Sequence, residues 1–258
     1  PFQFAGVISG DTTRGLRPLG SPERTVQNLA AYWDAMKTDG ILLDHEARRQ
    51  LIREQAEALA AEVGGVIPDD PGLLDEVTNL VEAPLTIRGQ FEAQYLELPR
   101  DVLVMVMRKH QRYFPVQDSQ GKLMPYFITA RNGVFEDVAA VTDGNEHVIR
   151  ARFSDAAYFY NEDRKQKLAD YLPRLSTLTF HEKLGSMMDK NNRVAGLVAD
   201  LGRQLGFADE AIAIAEEAGS IAKADLATQM VVEMTSLQGV MGREYALLEG
   251  RSPQVASA

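Results

Sequence analysis

The sequence predicts an α+β protein in which a mixed helix and sheet domain is followed by an all-helical domain. Helical and strand-like patterns interleave up to about residue 168, and beyond it only helical patterns follow one another. Each domain needs its own packed layers and core, so this change of pattern predicts two domains in 258 residues. We expect the boundary near residues 168–175, where Leu172-Pro173 interrupts the chain. The predicted domains are residues 1–170 and 171–258.

The first elements are predicted from hydrophobic patterns and the turn residues beside them. Residues 2–9 have the pattern of a strand. Ser21-Pro22-Glu23 is predicted to begin a helix as N-cap, first-turn proline and first-turn acid, and Gly40 to end it. Helical spacing and strand-like clustering predict the elements that follow. The predicted helices are 45–63 and 71–82, and the predicted strands are 85–98, 112–117 and 124–131.

The C-terminal region shows helical patterns without strand signals. The predicted helices are 155–167, 182–205, 208–223 and 224–248. Gly239 and Gly242 fall inside the last pattern, where each glycine costs about 1 kcal/mol relative to alanine. A kink at an interface and a close helix crossing in the core both explain such glycines, and both interpretations stay open.

The composition excludes several functional classes. Hydrophobic residues make up 45% and charged residues 25%, which is typical of a globular protein. The absence of cysteine excludes disulfides, thiolate zinc sites and cysteine nucleophiles, and it fits the cytoplasmic location that we expect. No apolar run approaches the roughly 20 residues that span a bilayer, so no membrane association is predicted. The start at Pro1 and the ending RSPQVASA are those expected of an internal fragment.

The charge balance limits how nucleic acid could bind. The formal net charge is -10, and an acidic total argues against diffuse electrostatic binding. RNA would therefore have to bind a local basic stripe on a body that otherwise repels it.

The stretch from Pro99 to Gly133 carries the strongest basic signal. An apolar run, Val102 to Met107, ends in a group of cations, and a second apolar segment ends in Arg131, across a turn at 118–121. Cations fixed at the ends of buried elements suit contacts with a phosphate backbone. The alternative interpretation is that these cations are ordinary solvated residues at the ends of the elements, with no role in binding. The cations of the first group are Arg108, Lys109, His110 and Arg112.

Further candidates lie C-terminal to this stretch. Arg150 and Arg152 are two residues apart, so an extended segment would place both on one face. Arg164 and Lys165 follow an aromatic run, where they could equally complement a helix dipole. Lys183 belongs to a charged helical pattern. It is a further candidate for RNA contact, and the alternative interpretation is that this pattern forms a solvated helix face.

Several blocks of sequence resemble one enzyme family. The blocks are LPRDVLVMVMRKHQRYFPV, GKLMPYFITARNG, GNEHVIRARFSDAAYFYNEDRK, LPRLSTLTFHEKLGSMMDK and KADLATQMVVEMTSLQGVMGREYA. They are similar in order and spacing to the beta subunit of the bacterial heterotetrameric glycyl-tRNA synthetase. The resemblance runs from about Arg14 to the end of the chain. It implies a first domain like the editing-domain fold of the phenylalanyl-tRNA synthetase beta subunit and a second, HD-like domain, without the family's N-terminal end and C-terminal anticodon-binding domain.

The resemblance also implies a function and partners. The chain is expected to bind and position tRNA(Gly) beside the alpha subunit in an alpha2beta2 assembly, without binding DNA. Glycine activation with ATP and Mg2+ would belong to the alpha subunit, which leaves this fragment no cofactor and no catalytic residue. Hydrolytic editing of mischarged tRNA by the first domain and a role as a subunit-assembly platform are the alternatives.

The HD-like region is predicted to lack a metal site. Such a site needs adjacent His and Asp ligands, but the matching pair here is Ala224-Asp225, with a methyl group in place of the imidazole. We expect Asp225 to pair with a cation such as Lys223 or to cap a helix. Phosphate-cradling loops of the GxxxxGK type and HExxH motifs are also absent from the sequence.

Overall fold

The computed structural model describes residues 2–133 and 137–258. The chain divides into two compact units, and the predicted α+β class is confirmed. The division falls between Arg150 and Ala151, inside one helix, whereas the predicted boundary lies near residues 168–175. The first unit comprises Pro1–Leu96 and Val106–Arg150, and the second comprises Glu97–Met105 and Ala151–Ala258.

The first unit begins with two small antiparallel hairpins. Strand β1 pairs with β2, and β3 pairs with β4. The single strand predicted over 2–9 is wrong, because the left-handed backbone of Ala5 and Gly6, with φ of 48° and 81°, folds it into a hairpin. The strands are β1 (Gln3–Phe4), β2 (Val7–Ile8), β3 (Thr12–Arg14) and β4 (Glu23–Thr25).

The helix predicted from Ser21 begins later. Ser21 has a φ of +50° in a turn, and β4 follows it instead of a helix. Helix α1 (Leu29–Thr38) begins after Asn28, whose side chain accepts a hydrogen bond of 2.9 Å from the Ala31 N–H. Asparagine is a good N-cap, so a second capping signal close along the chain determined the start.

A three-stranded antiparallel sheet covered by two helices forms the core of the first unit. The predicted helices and strands of this region are confirmed, except that the strand predicted over 85–98 ends at Gln90 and residues 93–97 form a short 3-10 turn. The strand order is β5-β7-β6. Alternate residues such as Ile128 of β7 face α2 and α3 and pack against Ile52 and Leu73. The elements are α2 (His45–Ala61), α3 (Pro71–Leu80), β5 (Pro84–Gln90), β6 (Phe114–Gln117) and β7 (Leu123–Asn132).

Phe127 occupies the other face of the sheet. Its ring stacks on Tyr113 with centroids 4.4 Å apart and lies directly over Gly89 of β5. A Cβ atom at position 89 would lie 2.3 Å from the ring, so only glycine leaves the space that this packing needs.

The apolar run before the basic group is helical. Helix α4 (Arg100–Met105) continues into a π-helical turn, Val106–Gln111, which carries Arg108, Lys109 and His110 at its end. Arg112 then adopts a φ of +55° and the chain enters β6. Arg108, Lys109 and His110 therefore mark the end of a helix.

The long helix α5 (Val138–Asp163) belongs to both units. Sequence reasoning predicted only a helix over 155–167. The helix begins earlier, and its second half contributes the buried Phe153 and Tyr160 to the second unit. Because its two halves are buried against different surroundings, α5 lacks one continuous apolar face that would indicate its full length.

The second unit is mainly helical, but it contains a hairpin. The predicted helices over 182–205 and 208–223 are confirmed as α6 and α7, whereas the expected lack of strands is wrong. Ser186 and Asp189 form a capping box that sets the start of α6, so the preceding residues are free to pair as β8 and β9. A 3-10 segment, Leu168–Thr177, precedes β8 (Thr179–His181), β9 (Gly185–Ser186), α6 (Met187–Gln204) and α7 (Asp209–Ile221).

The helix predicted over 224–248 is wrong as one element. Thr228 caps the short helix α8, and Gly239, with a φ of +79°, separates it from α9. Of the two glycines that the sequence placed inside this helix, only Gly242 is helical. The elements are α8 (Gln229–Glu233), α9 (Val240–Leu248) and α10 (Pro253–Ser257). Among the described residues, no helix combines the length and the apolar character that crossing a bilayer requires.

Candidate nucleic-acid interface

Two of the candidate arginines lie against helix α3. The Arg108 guanidinium forms a bidentate pair with Asp70, with one Nη2–Oδ1 distance of 2.9 Å. The Arg112 Nε atom lies 2.8 Å from Glu76 Oε1. Both acids belong to α3 or its N-cap, so this helix neutralises much of the basic group that the sequence singled out.

Two further candidates are also paired with carboxylates. The Arg150 Nε atom donates to Glu92 Oε1 at 2.6 Å, and Lys165 contacts Glu162 three residues earlier. A hydrogen bond from its own backbone and the Arg150 guanidinium hold the pKa of Glu92 below its ordinary value. All four paired cations keep 36–65% of their side-chain surface exposed, so the pairs are surface contacts.

Four candidates have no carboxylate partner among the residues that the structure describes. All four are exposed, and Arg164 alone has an aromatic contact, with its guanidinium carbon 5.1 Å from the centre of the Tyr160 ring. Free cations can exchange solvent for phosphate oxygens without first breaking an ion pair. These residues are Lys109 in the first unit and Arg152, Arg164 and Lys183 in the second.

Arg150 and Arg152 do not share a face. The segment is helical rather than extended, and two residues turn about 200° around a helix of 3.6 residues per turn. The possibility that an extended segment aligns them is therefore wrong. His110 follows Lys109 in the π-helical turn, and Arg131 lies in β7 in register with Leu85 of β5.

Asp225 is buried and has a structural role. It is 3% exposed, and its Oδ2 atom accepts a hydrogen bond of 2.5 Å from the Gly239 N–H at the start of α9. It therefore caps a helix, one of its two predicted roles, and has no ion pair with Lys223 among the described residues. A Cβ at Gly242 would lie 3.3 Å from this carboxylate, so α9 approaches it closely.

These residues do not fit a metal ion. Ala224 offers no ligand atom beside Asp225, and the carboxylate is already engaged by the helix N-terminus. Across residues 2–133 and 137–258, no group of three or more His, Cys, Asp or Glu side chains could hold a metal ion.

Comparison with known proteins identifies the family. The model of the family described as "Glycyl-tRNA synthetase beta subunit" matches residues 1–258. The chain belongs to this family. The match covers both compact units, so the sheet unit and the helical unit are parts of one family region.

Curated relatives of the family are similar over the whole chain. The glycine–tRNA ligase beta subunit of Bacillus subtilis is 43% identical over 258 residues, and that of Desulfitobacterium hafniense (strain DSM 10664 / DCB-2) is 44% identical over 257. The glycine–tRNA ligase, chloroplastic/mitochondrial 2, of Arabidopsis thaliana is 44% identical over 259 residues. Each alignment covers 100% of this chain but only 38%, 37% and 24% of the respective relative. The chain thus spans less than two fifths of their length.

In this member of the family, the structure reveals a buried carboxylate that sequence reasoning missed. Asp163 is 2% exposed and accepts hydrogen bonds from the backbone N–H groups of Gln229 and Met230 at 2.8 and 2.9 Å. The hydroxyls of Tyr171 and Tyr245 also donate to it, at 3.3 and 3.0 Å. The sequence gives no signal for this site, because its partners lie 8 to 82 residues away.

A cavity of about 180 Å³ adjoins this carboxylate in the second unit. Arg164 and Glu249 also line the cavity. Burial raises the pKa of Tyr171 to about 12, and the Asp163 carboxylate adds to the shift. The hydroxyls around Asp163 therefore remain protonated donors at neutral pH.

Proposed function

We propose that this chain is a tRNA-binding and positioning part of a glycine–tRNA ligase beta subunit. In this proposal, glycine is activated with ATP and Mg2+ at an alpha subunit, and the present chain supplies no catalytic residue. Holding the RNA in one orientation removes orientational freedom before the glycyl group is transferred, which lowers the barrier to reaction.

Four of the candidate cations are exposed and have no carboxylate partner among the described residues, and this availability supports the role. On a chain with a net charge of -10, cations without carboxylate partners are the groups most available to phosphate. Of the four, Arg164 is the best candidate for a phosphate contact. Its contact with the Tyr160 ring limits its side-chain freedom, so less conformational entropy is lost on binding. The unpaired set is Lys109, Arg152, Arg164 and Lys183.

The paired cations are expected to contribute less. An exposed ion pair stabilises a protein by roughly 0.2–1 kcal/mol, so a phosphate could displace the carboxylate from Arg108 or Arg112 at a small cost. The displaced carboxylate would nevertheless remain close to the phosphate and repel it. The paired set is Arg108, Arg112, Arg150 and Lys165.

Titration of tRNA(Gly) with the chain at several salt concentrations tests the proposal. Substituting the unpaired set by alanine should weaken binding and reduce the salt slope by about 0.7–0.9 for each phosphate that the variant no longer neutralises. Substituting the paired set should have a smaller effect on both quantities.

Lys37→Ala is the matched control, because Lys37 is an exposed cation outside both sets. It should leave the affinity and the slope unchanged. If the fourfold variant of the unpaired set binds tRNA with the affinity and salt slope of the unsubstituted chain, these cations do not contact RNA and the proposed role is wrong.

A further inference from the structure

The hairpin of β8 and β9 presents an aromatic ring and cations to solvent. Phe180 of β8 is 38% exposed, and every residue from Thr179 to Gly185 is exposed. The base of the hairpin is fixed, because the Met187 N–H donates to the Leu178 carbonyl oxygen at 2.7 Å and the capping box of α6 follows directly. The exposed tip is therefore anchored to the start of α6.

The Phe180 ring is held in place by a cation. The Lys190 Nζ atom lies 4.3 Å from the centre of the ring, a cation–π contact that joins α6 to β8. This contact limits the freedom of both side chains, while more than a third of Phe180 stays exposed. An exposed ring fixed in this way is a surface on which a planar nucleobase can stack.

The charge of the hairpin differs from that of the whole chain. Residues 179–193 contain three cations, Lys183, Lys190 and Arg193, and two acids, Glu182 and Asp189. Asp189 already accepts hydrogen bonds in the capping box of α6, which leaves Glu182 as the one acid of the exposed tip. This segment therefore has a small positive charge on a chain with a net charge of -10, which favours a polyanion as its partner.

Phe207 shows that exposure alone does not make such a surface. It is 59% exposed beyond the other end of α6, but Asp209 and Glu210 follow it at the start of α7. Acids beside a ring repel the phosphate of any nucleotide that stacks on it. The two exposed phenylalanines of the second unit thus differ in the charges that surround them.

We propose that the hairpin of β8 and β9 binds an unpaired nucleotide of tRNA, with the base stacked on Phe180 and the phosphate near Lys183 and Lys190. This base contact rests on the proposed function and deepens it, since the unpaired cations recognise only phosphate. A base inside a duplex is covered by its neighbours and offers no free face, so the hairpin selects single-stranded nucleotides at an end or in a loop.

Fluorescence titration of tRNA(Gly) with variants at position 180 tests this proposal. Phe180→Ala and Phe180→Leu should each weaken binding about tenfold, whereas Phe180→Tyr keeps an aromatic face and should bind like the unsubstituted chain. The salt slope should stay the same in all three, since no charge changes. Leucine keeps an apolar side chain in the hairpin, so a loss in that variant reflects the missing ring. Phe207→Ala is the matched control and should leave the affinity unchanged.

The form of the RNA tests the selection of unpaired nucleotides. Phe180→Leu should weaken binding of a single-stranded oligoribonucleotide but not of a duplex of the same length. A tRNA without its unpaired 3′ nucleotides locates the stacked base. If Phe180→Leu no longer weakens binding of this shortened tRNA, the base belongs to the 3′ end, and a remaining loss places it in a loop.

Two results separate this base contact from the proposed function. Unchanged tRNA affinity in Phe180→Leu, beside the loss expected for the fourfold variant of the unpaired set, would overturn the base contact alone. An unsubstituted chain that does not bind tRNA would overturn both. Equal effects of Phe180→Leu on single-stranded and duplex RNA, or a hairpin that binds only a protein, would also end the base contact.

Discussion

A buried carboxylate needs hydrogen-bond donors for its oxygens, and Asp163 receives them from two backbone N–H groups and two tyrosine hydroxyls. The side chain therefore joins the end of α5 to the start of α8 and to the 3-10 segment that contains Tyr171. Its contribution to the second unit lies in satisfying these donors, which would otherwise be buried without a partner.

Asp163→Asn should lower the free energy of unfolding by about 3 kcal/mol, because the charged acceptor is removed and an amide N–H₂ would face donors. Urea unfolding followed by circular dichroism measures this change. Asp155→Asn, on an exposed part of the same helix, is the control and should change stability little. Equal effects of the two substitutions would show that the buried network does not stabilise the unit.

The residues of the candidate interface were predictable in type but not in pairing. The sequence identified Arg108 and Arg112 as a basic group, yet their partners Asp70 and Glu76 lie 38 and 36 residues away. Such pairs form only when the sheet and α3 pack together, so local sequence could not distinguish these arginines from the unpaired Lys109.

The packing of strand β5 against its neighbour depends on a single glycine. Phe127 of the neighbouring strand lies over Gly89, and the same ring stacks on Tyr113. The close approach of ring and backbone therefore couples β5, β7 and the start of β6 on this face of the sheet.

Gly89→Ala should destabilise the first unit by about 1–3 kcal/mol, because the added methyl group overpacks the ring. Gly144→Ala provides the opposite control, since no atom lies within 4 Å of a Cβ at that position in α5. It should stabilise the chain by about 0.5–1 kcal/mol by reducing backbone entropy in the unfolded state. Thermal unfolding of both variants compares the two effects, and a loss of stability in both would contradict this account.

Elements with clear caps and one apolar face were predicted well, as α2 and α3 show. The errors occurred where competing signals lay close together. Ser21-Pro22-Glu23 has the composition of a helix start, but pairing with β3 makes it part of a hairpin. Residues 224–248 have a helical pattern, but the caps at Thr228 and Gly239 divide it.

At the scale of the whole molecule, buried tyrosines are distributed unevenly. Burial raises the pKa of Tyr160 and Tyr171 to about 12 and also raises that of Tyr245, and all three belong to the second unit. Tyr113, whose pKa burial raises to about 12, belongs to the first. The stability of the second unit should therefore respond more strongly to alkaline pH.

These raised pKa values predict the direction of the pH dependence. Below the unfolded pKa of 10.0 the hydroxyls are protonated in both states, and stability is fully present. As the pH rises from 10 towards 12, the unfolded chain loses these protons first, so stability falls by about 1.4 kcal/mol per pH unit for each tyrosine. Urea unfolding across this range measures the slope. Tyr171→Phe should make it shallower, and an unchanged slope would argue against this assignment.

Helix α5 has a practical consequence for any attempt to dissect the molecule. Expressing residues 171–258 alone would remove Asp163 together with the Glu97–Met105 segment, both of which belong to the second unit. Truncation at the boundary suggested by the sequence should therefore yield an unstable product even though each unit is compact. Inheritance of the two units as separate modules is disfavoured for the same reason, because no single cut in the gene would release either of them intact.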